Sequence, residues 1–214
     1  MRRPLDPLRD GTKRALDIVL CLIAMIVAGP VMLVLIGLIR LSSPGPGLFR
    51  QERVGRGRQP FTMLKLRTMF TGNDDQIHRA YVTSLLKDEQ PAADSTSGLY
   101  KLNDDPRVTR LGSILRRTSL DELPQLLNVL SGSMSLVGPR PVLAWEAEMF
   151  DPVHLRRFEV KPGITGLWQI RGRSKLGMRE ALDLDVEYVQ HRSIARDLLI
   201  LVMTVPALFR GGAS

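Results

Sequence analysis

The chain has 214 residues, 44% apolar and 5% aromatic, with a formal net charge of +8 and one cysteine. That length holds one domain with its own core plus an anchor, and the lone Cys21 excludes a disulfide framework and favours a cytosolic face. The positive charge suits nucleic acid, an anionic membrane surface or phosphorylated small molecules equally, so charge alone selects no partner.

Residues 18–39 form an uncharged apolar run bounded by Asp17 and Arg40. As a straight helix it measures roughly 33 Å, against a hydrocarbon core of about 30 Å. The run is too long for a cleaved signal peptide, and its small residues Ala28 and Gly29 lie in the middle rather than at the end. Gly29-Pro30 sits at the centre, where Pro30 removes one backbone hydrogen bond and crowds the preceding turn. Both flanks are basic: Arg2, Arg3, Arg9, Lys13 and Arg14 before the run, Arg40, Arg50, Arg53, Arg56 and Arg58 after it. Both therefore prefer the cytoplasm. A re-entrant helix broken at Pro30 satisfies that preference and a spanning helix does not. The expected division is a basic N-terminus and membrane helix over 1–41 and a cytosolic domain over 42–214.

Residues 42–47 are a Pro/Gly-rich turn. Segments 48–53 and 60–69 read as short strands around the basic turn 55–58. In the second, Lys65 and Arg67 alternate with Met63, Leu64 and Leu66, giving a basic face whose plainest use is solvation. Residues 73–90 are polar with helical spacing at Ile77, Tyr81, Leu85 and Leu86, and 91–98 is a small-residue loop. Further helices are expected over 108–117, 119–130, 145–150, 154–158 and 177–191, with a turn-rich stretch over 161–172. A second apolar run, 198–209, is too short to span a bilayer. Ser193 is placed to cap its helix, and over 193–209 a core helix and an interfacial helix on the bilayer are both open. The fold class is a helix-rich α/β domain on a membrane anchor.

The adjacent carboxylates Asp121 and Glu122 open the 119–130 segment, and Arg140 follows within Gly138-Pro-Arg-Pro141. A nucleophilic or metal-binding acid beside a fixed cation is what chemistry on a phosphoanhydride needs. Ser119-Leu-Asp-Glu122 also fits a capping box, in which Glu122 merely reaches back to the backbone; that explains Glu122 but leaves Asp121 without a reason. Pro124 distorts the first turn or starts the helix itself. The prolines on either side of Arg140 hold its backbone, so its guanidinium is positioned with less entropy loss. Arg116 and Arg117 are candidates for holding phosphates or lipid headgroups. Asp183 and Asp185 match the loose Asp-X-Asp pattern of metal-dependent glycosyl transferases, but at that spacing they do not share a helix face. No dinucleotide or Walker loop and no zinc-type cluster is present, and three scattered histidines do not support a histidine triad.

Taken together, these motifs resemble the bacterial sugar transferases, the small monotopic polyprenyl-phosphate phosphoglycosyl transferases. The resemblance runs in order from Lys13-Arg-Ala-Leu-Asp17 through the apolar segment and Phe61-Thr-Met-Leu-Lys-Leu-Arg-Thr-Met69. It continues through Ser119-Leu-Asp-Glu-Leu-Pro-Gln125, Met134 to Pro141, Lys161-Pro-Gly-Ile-Thr-Gly166 and Asp185-Val-Glu-Tyr-Val189. It implies transfer of a sugar 1-phosphate from a UDP-sugar to undecaprenyl phosphate, with release of UMP, at the cytoplasmic face of the bacterial inner membrane. It implies Asp121 as the nucleophile that carries the phosphosugar and Glu122 as its partner acid, the two together associated with Mg²⁺. Lys65, Arg67, Arg117, Arg140, Pro141 and Asp185 are expected to bind substrate. Membrane lipids are implied partners, nucleic acid is not, and a homo-oligomer is compatible with the sequence. The family breaks its re-entrant helix at Ser-Pro where this chain has Gly29-Pro30, and the 71–101 stretch is longer than in compact members. Neutral hexoses and N-acetylated amino sugars both fit. Two other readings are a membrane-anchored, non-catalytic polyanion binder and a direct glycosyl transferase with metal on Asp183 and Asp185, which releases UDP.

Overall fold

The structure, a computed structural model, describes residues 7–72, 76–86, 105–172 and 176–210. Helix α1 runs from Pro7–Ser42 with Pro30 inside it. The break expected at Gly29-Pro30 is not a division into two helices. In an apolar setting every unmet backbone group is costly, so one missing bond is better absorbed within a continuing helix. Among the described residues α1 is the one helix long and apolar enough to cross a membrane.

Both ends of α1 are tied to the same globular body. Near its start, Asp17 accepts hydrogen bonds from Ser135 Oγ (2.7 Å) and the Leu136 amide (3.2 Å). At its end, Arg67 donates to the Ser43 carbonyl at 2.7 Å and to Ser43 Oγ at 2.8 Å. Between these anchors Cys21, Ala28, Met32 and Ile39 are buried, spaced four or seven residues apart along one face. Val19, Leu22, Ile23, Ile26, Val27, Leu33, Val34 and Leu41 lie bare on the others. An apolar surface of that extent needs a non-aqueous partner. A spanning helix would carry its far end across the bilayer; here both ends stay with the domain, which is the arrangement of a monotopic membrane protein. The basic flanks put the domain on the cytoplasmic face.

Strands β1 (Leu48–Val54) and β2 (Pro60–Leu66) pair antiparallel around a 3-10 turn in which Gly57 takes φ +65°, the hairpin expected from the sequence. Helix α2 (Gln76–Leu86) seats the fully buried Val82 in a cluster with Val142, Phe150 and Leu182. Of the expected 71–101 insert only this helix and residues 71–72 are described, and the 91–98 loop lies outside the described residues. Helix α3 (Arg110–Thr118) starts at Thr109, whose hydroxyl accepts from the Gly112 amide at 2.9 Å. The 119–130 segment is split. Leu120–Glu122 is a 3-10 turn, and α4 (Gln125–Ser131) begins only after Pro124, where a proline costs no helical bond.

Strand β3 (Ser135–Val137) is followed by α5 (Ala144–Glu148) and a 3-10 stretch, His154–Glu159. Strand β4 (Gly163–Thr165) then pairs parallel with β3 and leads into α6 (Leu167–Arg171). The turn-rich reading of 161–172 missed both elements, which are too short to show any periodicity. Helices α7 (Met178–His191) and α8 (Ile194–Arg210) close the described chain. Ser193 caps α8, its Oγ accepting from the Arg196 amide at 3.1 Å. Ile200 is fully buried on one face of α8, while Leu199, Val202 and Val205 lie bare on the other. The buried face makes α8 a core helix, and its other face is an apolar surface.

Candidate active site

Asn128 on α4 clamps the edge of β2. Its Oδ1 accepts from the Leu64 amide at 2.9 Å and its Nδ2 donates to the Thr62 carbonyl at 2.7 Å. Those two bonds bring the 3-10 turn carrying Asp121 and Glu122 against Lys65. Lys65 Nζ lies 3.0 Å from Glu122 Oε1 and 3.9 Å from Asp121 Oδ2, and Arg140 Nη1 approaches the same Glu122 oxygen at 3.7 Å. Glu122 is therefore not a capping residue. Ser119 is left-handed (φ +58°) and makes no side-chain cap bond, while the Glu122 carboxylate is turned to the two cations.

These groups open onto a cleft lined by Arg53, Lys65, Glu122, Gln125, Arg140 and Pro141, of about 230 Å³ including its mouth. Four of these side chains, Arg53, Lys65, Glu122 and Arg140, are charged, so the cleft suits a charged group. Asp121 is 4% exposed and sits beneath this lining. Behind it Arg116 is within electrostatic reach and donates from Nε to Thr68 Oγ1 at 3.0 Å.

Arg140 is held by backbone packing. The Gly138 amide donates to the Thr165 carbonyl and the Gly163 amide to the Pro139 carbonyl, both at 2.9 Å. A β-carbon on Gly138 would stand 2.4 Å from the Lys161 carbonyl, and one on Gly163 would stand 2.1 Å from the Gly138 nitrogen. Only glycine permits that approach. From beneath, Arg157 Nη2 donates to the Arg140 carbonyl at 2.6 Å and pairs with Asp185 Oδ2 at 2.8 Å. The Arg157 guanidinium also packs over the rings of Phe150 and Phe158, at 5.1 and 5.9 Å. Burial pushes the Asp185 carboxyl up to about 6, against the opposing pull of Arg157, Arg140 and His154.

The structure thus gathers Asp121, Glu122, Lys65, Arg140 and Pro141. It places the other three expected residues elsewhere. Arg67 is 5% exposed and ties down the end of α1, also donating to the Pro44 carbonyl. Arg117 is exposed near the end of α3. Asp185 is buried under Arg140 and does not line the cleft. Asp183 turns away from Asp185 and meets His154 Nε2 at 2.9 Å, so the two do not form a joint metal site. The sequence reading missed Arg53 and Arg157. Arg53 was counted only as a basic flank, although it lies across from Phe61 in the hairpin; Arg157 carries no local signal at all.

Among the described residues no group of three or more His, Cys, Asp or Glu is arranged for a metal. Asp121 and Glu122 supply two hard carboxylates, a set that fits Mg²⁺ when water and phosphate oxygens complete its shell.

A family model described as bacterial sugar transferase matches residues 8–211. Exopolysaccharide production protein ExoY of Sinorhizobium fredii is 39% identical over 202 residues, covering 94% of this chain and 87% of that protein. The UDP-glucose:undecaprenyl-phosphate glucose-1-phosphate transferase of Caulobacter vibrioides is 41% identical over 207 residues, covering 93% and 70%. The undecaprenyl-phosphate galactose phosphotransferase of Salmonella typhimurium is 36% identical over 198 residues, covering 92% and 40%.

Proposed function

The chain belongs to the bacterial sugar transferase family, and from that membership we propose that it moves a sugar 1-phosphate from a UDP-sugar to undecaprenyl phosphate. The observation that carries this reading is the cleft in which Glu122 meets Lys65 and Arg140, with Asp121 beneath. It offers an acid nucleophile and cations for a diphosphate in one place.

In the first step an Asp121 carboxylate oxygen attacks the sugar-linked phosphorus. The bond from that phosphorus to the bridging oxygen breaks, and UMP leaves with the electron pair. An acyl phosphate linking Asp121 to the sugar remains. In the second step an oxygen of undecaprenyl phosphate attacks the same phosphorus and the Asp121 carboxylate leaves, giving the polyprenyl diphosphate sugar. Lys65, 3.9 Å from Asp121, faces that acid with a positive charge and stands close to the incoming phosphate. Arg140 and Arg53 take diphosphate oxygens at the cleft wall, and Arg140 is preset by the backbone packing of Gly138 against Gly163. Asp121 and Glu122 would hold Mg²⁺, which when bound neutralises diphosphate charge and improves the leaving group. Asp185 and Arg157 support the position of Arg140, and Arg67 anchors the membrane helix.

The test is nucleotide release by the detergent-purified protein with Mg²⁺, undecaprenyl phosphate and a panel of UDP-sugars. We expect UMP with one donor, and a fall of at least about a thousandfold in Asp121→Asn, as for removal of other covalent nucleophiles. Release of UDP instead would move the chemistry to direct glycosyl transfer. Salt-sensitive polyanion binding unchanged by Asp121→Asn, with no turnover, would favour the binding-protein reading.

A further inference from the structure

The cleft leaves unused a second group of cations, near the start of the membrane helix. At the C-terminal end of α4, Arg14 donates to the Leu130 carbonyl at 2.8 Å and to the Val129 carbonyl at 2.5 Å, the latter also accepting from the Gly132 amide at 3.0 Å. Lys161 reaches the same place from the segment before β4. A β-carbon on Gly132 would stand 3.4 Å from Arg14 Nη2 and 3.6 Å from Lys161 Nζ, so the two cations flank one point. Arg14 has a structural duty there, whereas Lys161 has none. Among the described residues its ammonium makes no hydrogen bond or ion pair, although the residue is half-buried. Burial lowers the Lys161 pKa, and Arg14 and then Arg56 lower it further.

The nearby acids Asp17 and Asp10 relieve this only in part, being engaged elsewhere. Asp17 is taken by Ser135 and Leu136, and Asp10 pairs with Arg56 at 3.4 Å and Arg192 at 3.3 Å. A half-buried ammonium beside the Arg14 guanidinium, with no acid partner of its own, is stabilised by an arriving anion. Place on the helix says what kind. Arg14 lies four residues before Ile18, where the uncharged run begins, so the pair flanks the membrane-embedded stretch, where lipid phosphates gather.

We propose that Lys161 and Arg14 bind one phosphate group beside the membrane-embedded stretch, at a place separate from the Glu122 cleft. Neither residue lines that cleft. Arg14 keeps N–H donors beyond the two given to carbonyls, and Lys161 offers three, enough for two or three phosphate oxygens. The phosphate comes from a bilayer phospholipid or from a soluble phosphate compound, and the experiment tells these apart.

The full chain is placed in phosphatidylcholine nanodiscs containing a trace of spin-labelled phosphatidylglycerol, and the motionally restricted fraction is read by electron paramagnetic resonance. A neutral phosphatidylcholine label serves as reference. The wild-type chain is expected to prefer the anionic label, Lys161→Gln to weaken that preference about fivefold, and Lys161→Arg to retain it. Retention in the arginine variant shows that charge and not fold is being read. Displacement of the label by millimolar inorganic phosphate assigns the site to soluble phosphate; persistence assigns it to lipid. An equal preference in wild type and Lys161→Gln, with inorganic phosphate without effect on either, overturns the proposal.

Discussion

In the cleft, Lys65 stands 3.0 Å from Glu122 with the two side chains 16% and 18% exposed; behind Arg140, Arg157 stands 2.8 Å from Asp185 with both at 3% or less. The two pairs have the same chemistry and nearly the same length, and differ in access to water. A half-buried pair that water still reaches is worth less as a pair, so either member can turn to an arriving phosphate or cation at smaller cost. A buried pair cannot open without stranding a charge. It is suited to holding something still, and here that is the main chain of Arg140.

The largest effect that sharpens this contrast is on stability. Arg157→Leu leaves Asp185 buried without its cation and is expected to cost about 3–5 kcal/mol, a fall in the thermal midpoint on the order of 10 °C. Lys65→Met, which breaks a pair of the same length in the cleft, is expected to cost less than about 1 kcal/mol. Equal losses in the two variants, measured by denaturation of the detergent-purified protein, would erase the distinction.

The buried pair should also be visible in pH. Asp185 titrates at about 6 in the folded chain and near 3.9 when unfolded. Between these values the folded state keeps a proton that the unfolded state has released. The stability contribution of Asp185 is therefore fully present below about pH 4 and is lost as pH rises through 6. About two units amount to roughly 3 kcal/mol. The stability of wild type minus that of Asp185→Asn should fall by that order from pH 4 to pH 7. A flat difference would mean that Asp185 is not desolvated as its burial implies.

The sequence could not separate the two regions, and the reason is physical. Lys65, Arg67, Arg140 and Asp185 all appear in motifs, but motif membership does not tell a side chain that meets ligand from one that holds the frame. Arg67 follows Lys65 by two residues, yet it turns under Ser43 while Lys65 turns to Glu122, because β2 ends at Leu66. What was legible had strong local causes. The hairpin came from a Gly-Arg-Gly turn between two short strands, the start of α4 from Pro124, and the membrane helix from its uncharged run. The pairing of β3 with β4 was not legible, since it depends on two glycines far apart in sequence meeting backbone to backbone. Nor was the placing of both ends of α1 on one body, which the basic flanks suggested and only long-range bonds from Asp17 and Arg67 supply.

The smallest of these effects isolates the Arg140 side chain from its support. Arg157 holds the carbonyl of residue 140 and not its guanidinium, so Arg140→Lys leaves the Gly138-to-Pro141 backbone and the Arg157–Asp185 pair in place. A lysine keeps the positive charge but loses the planar fork that takes two phosphate oxygens at once. The expected loss in kcat/KM is about 10- to 100-fold, or roughly 1.4–2.7 kcal/mol, with the thermal midpoint unchanged. Because Arg157→Leu frees the backbone with the Arg140 guanidinium intact, it should lower kcat in the molecules that remain folded while Arg140→Lys mainly raises KM for the donor. If the two variants changed kcat and KM in the same proportion, Arg140 would owe its effect to its place in the loop and not to a contact with phosphate.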